Sequence, residues 1–165
     1  MLHADLEREY VDYVQARLPD LRRAAYRLCG DPHRGDDLVQ QSITKLYVNW
    51  RRARSAANLD AYVQKILVNV FLDERRLRWS RVSLFAAAPE VAAPADSYAD
   101  DRSALRAALN SLPRKLRAVL VLRFLLDLSI EDTAGALECS PGTVKSQTSR
   151  GLAEMRRLLP QLKEA

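Results

Sequence analysis

The residues best suited to a specific chemical task lie near the end of the chain, in LSIEDTAGALECSPGTVKSQTSRGLAEMRRLL, Leu128 to Leu159. The task is recognition, not bond-breaking. At about 100° per residue, Gly142, Lys145, Ser146 and Ser149 fall on one side of a helix, with Thr143 and Arg150 flanking them. Short polar side chains let a helix approach base edges, and cations beside them neutralise phosphates. The opposite sector carries Val144, Thr148, Leu152, Met155 and Leu159, an apolar stripe that seats such a helix on a core. That is the layout of a helix built to lie in the major groove of DNA.

Two helices and a tight turn must position these residues. Ser129 is a helix cap, and Asp132 three residues on completes a box-like start. Ile130, Ala134 and Leu137 repeat at helical spacing, and Glu138 and Cys139 supply the turn. Ser140 caps the second helix. Pro141 suits its first position, where a missing N–H costs nothing.

A second constellation lies between Leu59 and Trp79. Tyr62, Val63, Ile66, Val70 and Leu77 read as a core stripe on one helix. Phe71, Arg75 and Trp79 fall on the other side beside Gln64, Val68 and Arg78, within a basic cluster of Arg75, Arg76, Arg78 and Arg81. Rings alternating with guanidinium groups make a stacking platform for unpaired bases. For either ring alone, packing against the first helices is an equal alternative.

The rest of the chain supplies scaffold. The first helix is predicted over Leu6 to Leu18, Pro19 interrupts, and a second runs from Leu21 to Cys29, where Gly30 ends it. Asp31 and Pro32 start a turn. A third helix, Gly35 to Trp50, shows Val39, Ile43, Leu46 and Trp50 on one side and Asp37, Gln40, Gln41 and Thr44 on the other. Arg51 to Asn58 reads as a loop. After Asp101, a short helix covers Arg102 to Asn110, and another runs from Pro113 to about Leu126.

Five glycines, few β-branched runs and 48% apolar residues in 165 predict an all-α chain. Charge divides it. Residues 51–82 carry eight basic and three acidic side chains, and residues 102–165 carry eleven and six. Residues 83–101 have four acids and no base. Two cationic blocks separated by an acidic, Ala- and Pro-bearing stretch suggest one polyanion touched at two places. The expected organisation is two small helical domains, 1–82 and 102–165, joined by a flexible linker over 83–101, the second domain bearing the helix-turn-helix. The linker's acidity would also suit it to a basic groove.

No apolar run reaches membrane-spanning length and no signal peptide precedes Tyr10, so the cytoplasm is the expected location and no membrane insertion is expected. Cys29 and Cys139 are isolated. Cys29 and His33 lack a third ligand nearby, so no metal and no cofactor are expected.

Three segments in order resemble a known family: RGDDLVQQSITKLY (Arg34 to Tyr47), NLDAYVQKILVNVFLDERRLRWSR (Asn58 to Arg81) and SLPRKLRAVLVLRF through the helix-turn-helix (Ser111 to Leu159). The chain resembles a bacterial extracytoplasmic-function sigma factor of the SigE-like actinobacterial group. The resemblance implies that Asp37, Gln40 and Gln41 dock on the β′ clamp helices of core RNA polymerase. It implies that the loop from Arg51 to Asp60 and the helix after it melt and read the minus-ten element, with Asn69 at the family's recurrent Asn holding a flipped base; Phe71, Arg75, Arg76, Arg78 and Trp79, the stacking and basic face of that helix, are the expected minus-ten contacts beside it. It assigns Thr143, Lys145, Ser146, Ser149 and Arg150 to the minus-thirty-five element, with the second domain also touching the β flap. An anti-sigma protein is an implied partner. Gln41 stands where many relatives have an acid, and Gln147 where the family often has Arg.

Other classes fit less of the chain. A stand-alone helix-turn-helix regulator leaves the basic, aromatic face after Tyr62 unexplained. A helical adaptor that binds proteins alone explains neither cationic block. An enzyme lacks its usual parts: there is no Gly-rich phosphate loop and no Ser/His/Asp set, and His3 and His33 are the two histidines. No catalytic residue is therefore expected.

Overall fold

The structure is a computed structural model that describes the backbone of residues 2–82 and 99–159 and, within them, the side chains of residues 3–73 and 102–159. The described residues form helices and no strand. They are α1 (Leu2–Cys29), α2 (Pro32–Val48), α3 (Trp50–Ala53), α4 (Leu59–Val82), α5 (Ala99–Ser111), α6 (Arg114–Leu120), a π turn (Val121–Leu125), α7 (Ile130–Leu137) and α8 (Pro141–Leu158). The linker expected over 83–101 lies outside the described residues, except that α5 already begins at Ala99.

Pro19 does not interrupt: α1 is continuous through it. Pro19 and Gln15, whose carbonyl loses its partner, are both exposed, so water can serve that carbonyl. Beyond Pro19, α1 buries Leu21, Ala24, Ala25 and Leu28. Each buried Leu contributes about 1.5–3 kcal/mol, which together outweighs the roughly 3 kcal/mol that an interior proline costs. Pro19→Ala is therefore expected to stabilise the chain by about 1–2 kcal/mol, read as a raised urea midpoint. A lowered midpoint would show that α1 needs the proline.

Gly30 ends α1 as expected, at φ +72°, its N–H bonded to the Tyr26 carbonyl at 2.8 Å. The helix then restarts at once. Asp31 accepts the His33 amide at 2.9 Å and Pro32 takes the first helical position, so α2 begins three residues before the expected Gly35. Gly35 lets α1 and α2 touch: a Cβ there would sit 2.3 Å from the Tyr26 ring. Tyr26 in turn donates to Asp36 at 2.7 Å.

The two halves share a core. Val14, Leu28, Leu38, Leu46, Leu67 and Phe71 pack with Ala118 of α6 and Val121 of the π turn. A second cluster joins Val68 of α4 to Leu122, Leu128 and Ala136. Among the described residues, Ala108, Leu112, Leu120, Met155 and Leu159, together with Val119, Ala134 and Val144, form cores internal to the C-terminal half.

A buried cation fastens the junction. Arg117, 9% exposed, donates from Nη1 to the Leu28 carbonyl at 2.9 Å and from Nε to the Leu109 carbonyl at 3.0 Å. Its Nη2 donates to the carbonyls of Asn110 at 2.6 Å and Leu112 at 3.2 Å. Leu28 is in the last turn of α1, and Leu109 and Asn110 in that of α5. Carbonyls at helix C-termini lack intrahelical donors and attract positive charge. One guanidinium serves both ends. Beside it Arg114 lies 4.5 Å over the Phe71 ring and donates to the Phe71 carbonyl at 3.2 Å.

Candidate nucleic-acid interface

The helix-turn-helix forms by the local chemistry its sequence announces. The Ser129 side chain accepts the Asp132 amide at 2.9 Å, and the Ser140 side chain accepts the Thr143 amide at 3.1 Å, with Pro141 opening α8. Glu138 makes the turn in the left-handed region at φ 54°. Val144 is fully buried against Val119 and Ala134, and Met155 and Leu159 are buried further along α8, as the stripe predicts. Gly151 lets α8 press on α6: a Cβ there would meet Leu120 at 3.1 Å.

This seating turns Gly142, Lys145, Ser146, Ser149 and Arg150 to solvent, with Thr143 half-buried at the edge. Gln147 is also half-buried, consistent with a lateral place. The five expected minus-thirty-five residues share one accessible face of α8.

On α2, Asp37, Gln40 and Gln41 are exposed while Leu38, Val39, Ser42 and Leu46 are buried beneath them. The expected docking residues therefore stand on one rigid helical face.

The region around α4 differs from the sequence reading. Phe71 is 1% exposed, and Val68 is fully buried. The expected platform of Phe71, Arg75 and Trp79 is corrected at Phe71, whose ring packs inside the first core under Arg114. The reason is that α4 is covered on two sides, by α1 and α2 on one and by α7 and the π turn on the other. A single apolar stripe was assumed where two exist. Asn69 is half-buried. Arg75, Arg76, Arg78 and Trp79 belong to α4, but their side chains lie outside the described residues.

The supposed loop from Arg51 begins as a helical turn, α3. Trp50 anchors it, its ring 5.5 Å from Tyr10 and 5.7 Å from Tyr13, while Tyr47 meets Tyr10 at 5.1 Å. Tyr13 also donates to Asp60 at 2.6 Å, and Arg17 pairs with Asp60 at 2.8 Å. Burial and that hydrogen bond hold the Tyr13 hydroxyl well above its ordinary pKa. The aromatic anchor presents Arg51 and Arg52 to solvent beside the exposed Tyr47 and Val48. Leu6, Tyr47, Val48, Trp50, Arg51 and Arg52 line a cleft of about 380 Å³. The sequence had shown these arginines as a basic loop; the apolar wall beside them depends on α1 and was not legible.

Among the described residues no cluster of His, Cys, Asp or Glu is placed to hold a metal ion, and no helix is long and apolar enough to cross a membrane.

Comparison with known proteins accounts for both halves. Residues 13–81 match Sigma-70 region 2 and residues 102–155 match Sigma-70 region 4. The RNA polymerase sigma-E factor of Streptomyces coelicolor is 34% identical over 154 residues, covering 90% of this chain and 84% of that protein. The chain belongs to the extracytoplasmic-function sigma factors of the sigma-70 family. The EcfG sigma factor of Rhodopseudomonas palustris is 32% identical to this sigma factor over 152 residues, covering 90% and 83% of the two. The sigma factor RpoE from Bartonella quintana, solved in complex with the anti-sigma factor NepR, superposes with a TM-score of 0.82 at 28% identity. The match covers 92% of this sigma factor and 97% of that chain. As a sigma factor, the protein binds core RNA polymerase and directs it to promoters.

Proposed function

We propose that the chain divides this task among three faces. Asp37, Gln40 and Gln41 on α2 dock on the β′ clamp helices. Lys145, Ser146 and Ser149, flanked by Thr143 and Arg150 on α8, read the minus-thirty-five element. Arg51 and Arg52 beside the Tyr47 cleft, with Asn69, Arg75, Arg76, Arg78 and Trp79 of α4, engage the minus-ten element as it melts. The observation that carries this reading is the α8 face: a capped helix, seated by Val144 and Met155, with Lys145, Ser146, Ser149 and Arg150 exposed and Thr143 half-buried at its edge.

The chemistry fits the division of labour. Melting a promoter costs stacking and pairing, and the cost is recovered where an unpaired base gains a stacking surface and a cationic path for its backbone. The chain carries out no reaction itself; the polymerase does. It works in the cytoplasm, where its two thiols, Cys29 and Cys139, stay reduced. An anti-sigma protein is its expected antagonist, supported by the likeness to a sigma factor solved with one.

Lys145→Ala tests the α8 assignment. Transcription with core enzyme is expected to fall about fivefold, the ~1 kcal/mol of a single base or phosphate contact, at promoters that have an upstream element. Equal losses at promoters lacking that element would reject the assignment.

A further inference from the structure

Three arginines in the second half of α1 have carboxylate partners. Arg17 pairs with Asp60 at 2.8 Å, Arg22 with Asp36 at 3.4 Å, and Arg23 with Asp20. Arg27, in the last turn of the same helix, has none among the described residues, and α5 brings two more cations to it. Their placement follows from packing. α5 lies against α1. Leu109 packs against the first core, and Arg117 joins its carbonyl to that of Leu28, the residue after Arg27. Arg106 stands three residues before Leu109 and Arg102 four before that, so both share the side of α5 that faces α1.

Arg102 and Arg106 are exposed, and Arg27 is half-buried. Among the described residues no carboxylate lies within ion-pairing distance of any of the three. Burial lowers the pKa of Arg27, and so do the like charges of Arg106 and Arg102. A guanidinium keeps its proton nonetheless, so the fold carries the repulsion. The end of α1 offers only about half a negative charge against it, and the Leu28 carbonyl there is already bonded to a fourth cation, Arg117.

We propose that Arg27 of α1 with Arg102 and Arg106 of α5 forms a binding site for a compact, multiply charged phosphate anion, a diphosphate group held across the contact between the two helices. Guanidinium groups present N–H donors in a fixed fork that matches phosphate oxygens two at a time. Three such forks from two helices need more acceptors than a halide or a single carboxylate has. They gather around a half-buried head instead of running in a row, which suits a small anion better than the regularly spaced phosphates of a duplex. A diphosphate has both the oxygens and the charge. Binding would turn the repulsion among the three cations into a bridge from α1 to α5.

The test uses the full chain without any partner, in buffers of low and matched ionic strength, because salt screens exposed charges. Calorimetric titration gives the affinity for inorganic pyrophosphate, and thermal melting gives the linked stability. At about ten times its dissociation constant, pyrophosphate is expected to raise the wild-type melting temperature by roughly 3–6 °C. Arg106→Gln is expected to weaken pyrophosphate binding about ten- to a hundredfold, as loss of a charged hydrogen bond does. Without any anion the same substitution is expected to raise the melting temperature by about 1–2 °C, since it removes a like charge. Arg27→Gln should weaken binding as much, and Arg106→Gln alone decides the matter if Arg27→Gln fails to fold. Arg23→Gln, one turn away but at a cation already paired with Asp20, is expected to leave the affinity within about a factor of two. A nucleoside 5′-diphosphate that binds no more tightly than pyrophosphate assigns the site to the free anion; tighter binding, lost equally on Arg106→Gln, assigns it to the diphosphate of a nucleotide. Either result supports the site. Undiminished pyrophosphate binding by Arg106→Gln overturns it, and so does no binding by the wild-type chain. A melting temperature lowered by Arg106→Gln in the absence of anion overturns it too, because a carboxylate of the chain would then already be paired there. A mixed-sequence duplex that loses as much affinity as pyrophosphate on Arg106→Gln would give the cluster to nucleic acid instead.

Discussion

Arg117→Met is expected to cost about 3–5 kcal/mol of folding stability, the largest loss from any single substitution considered for this chain. Methionine fills a similar volume but donates nothing. The carbonyls of Leu28, Leu109, Asn110 and Leu112 lose a charged donor that each now has within 3.2 Å. A charged hydrogen bond contributes about 1.5–3 kcal/mol, and a buried carbonyl left unpaired adds its own penalty. Some carbonyls at the margin will recover water, which holds the total below the sum of four. Lysine is a poor substitute because a single ammonium cannot span four acceptors in a fixed fork. At about 1–3 kcal/mol per molar urea, the midpoint should fall by more than about 1 M. A loss under about 1 kcal/mol would mean that these helix ends are served in another way.

Asp37→Arg is expected to weaken association with core polymerase by about ten- to a hundredfold, or roughly 1.4–2.8 kcal/mol, while the melting curve stays in place. Asp37 is exposed and its helical neighbours Leu38 and Val39 are buried, so the substitution reverses a charge without touching the core. Surface changes of this kind usually shift stability by no more than about 0.5 kcal/mol. Co-elution with core at wild-type concentrations would remove α2 from the docking surface.

What the sequence made legible was what local chemistry decides. Ser129, Ser140 with Pro141, and Gly30 each act within one helical turn, and all three do in the structure what their types predict. Asp31 with Pro32 follows the same grammar as Ser140 with Pro141; reading it as a turn alone cost three residues of α2. The exposed faces of α2 and α8 were legible because each helix has one buried side.

The misses required knowledge of the other half of the chain. Pro19 is tolerated because of what Leu21 and Leu28 bury, not because of anything adjacent. Phe71 and Val68 were expected at a DNA face because α4 was given a single covered side, and the second cover comes from residues more than forty positions away, Arg114 among them. Arg117 left one trace in the sequence. It is the last of three bases, after Arg114 and Lys115, and stands directly at the head of the apolar run AVLVL. A buried cation so placed needs acceptors, and helix ends are where uncommitted carbonyls are found.

The most direct test of the central claim is to sequence the 5′ ends of transcripts made by the cognate core polymerase on fragmented genomic DNA, with and without the purified chain. Discrete start sites that depend on the chain, sharing two sequence blocks at a fixed separation, are the expected result. A transcript set identical to that of core enzyme alone would contradict it.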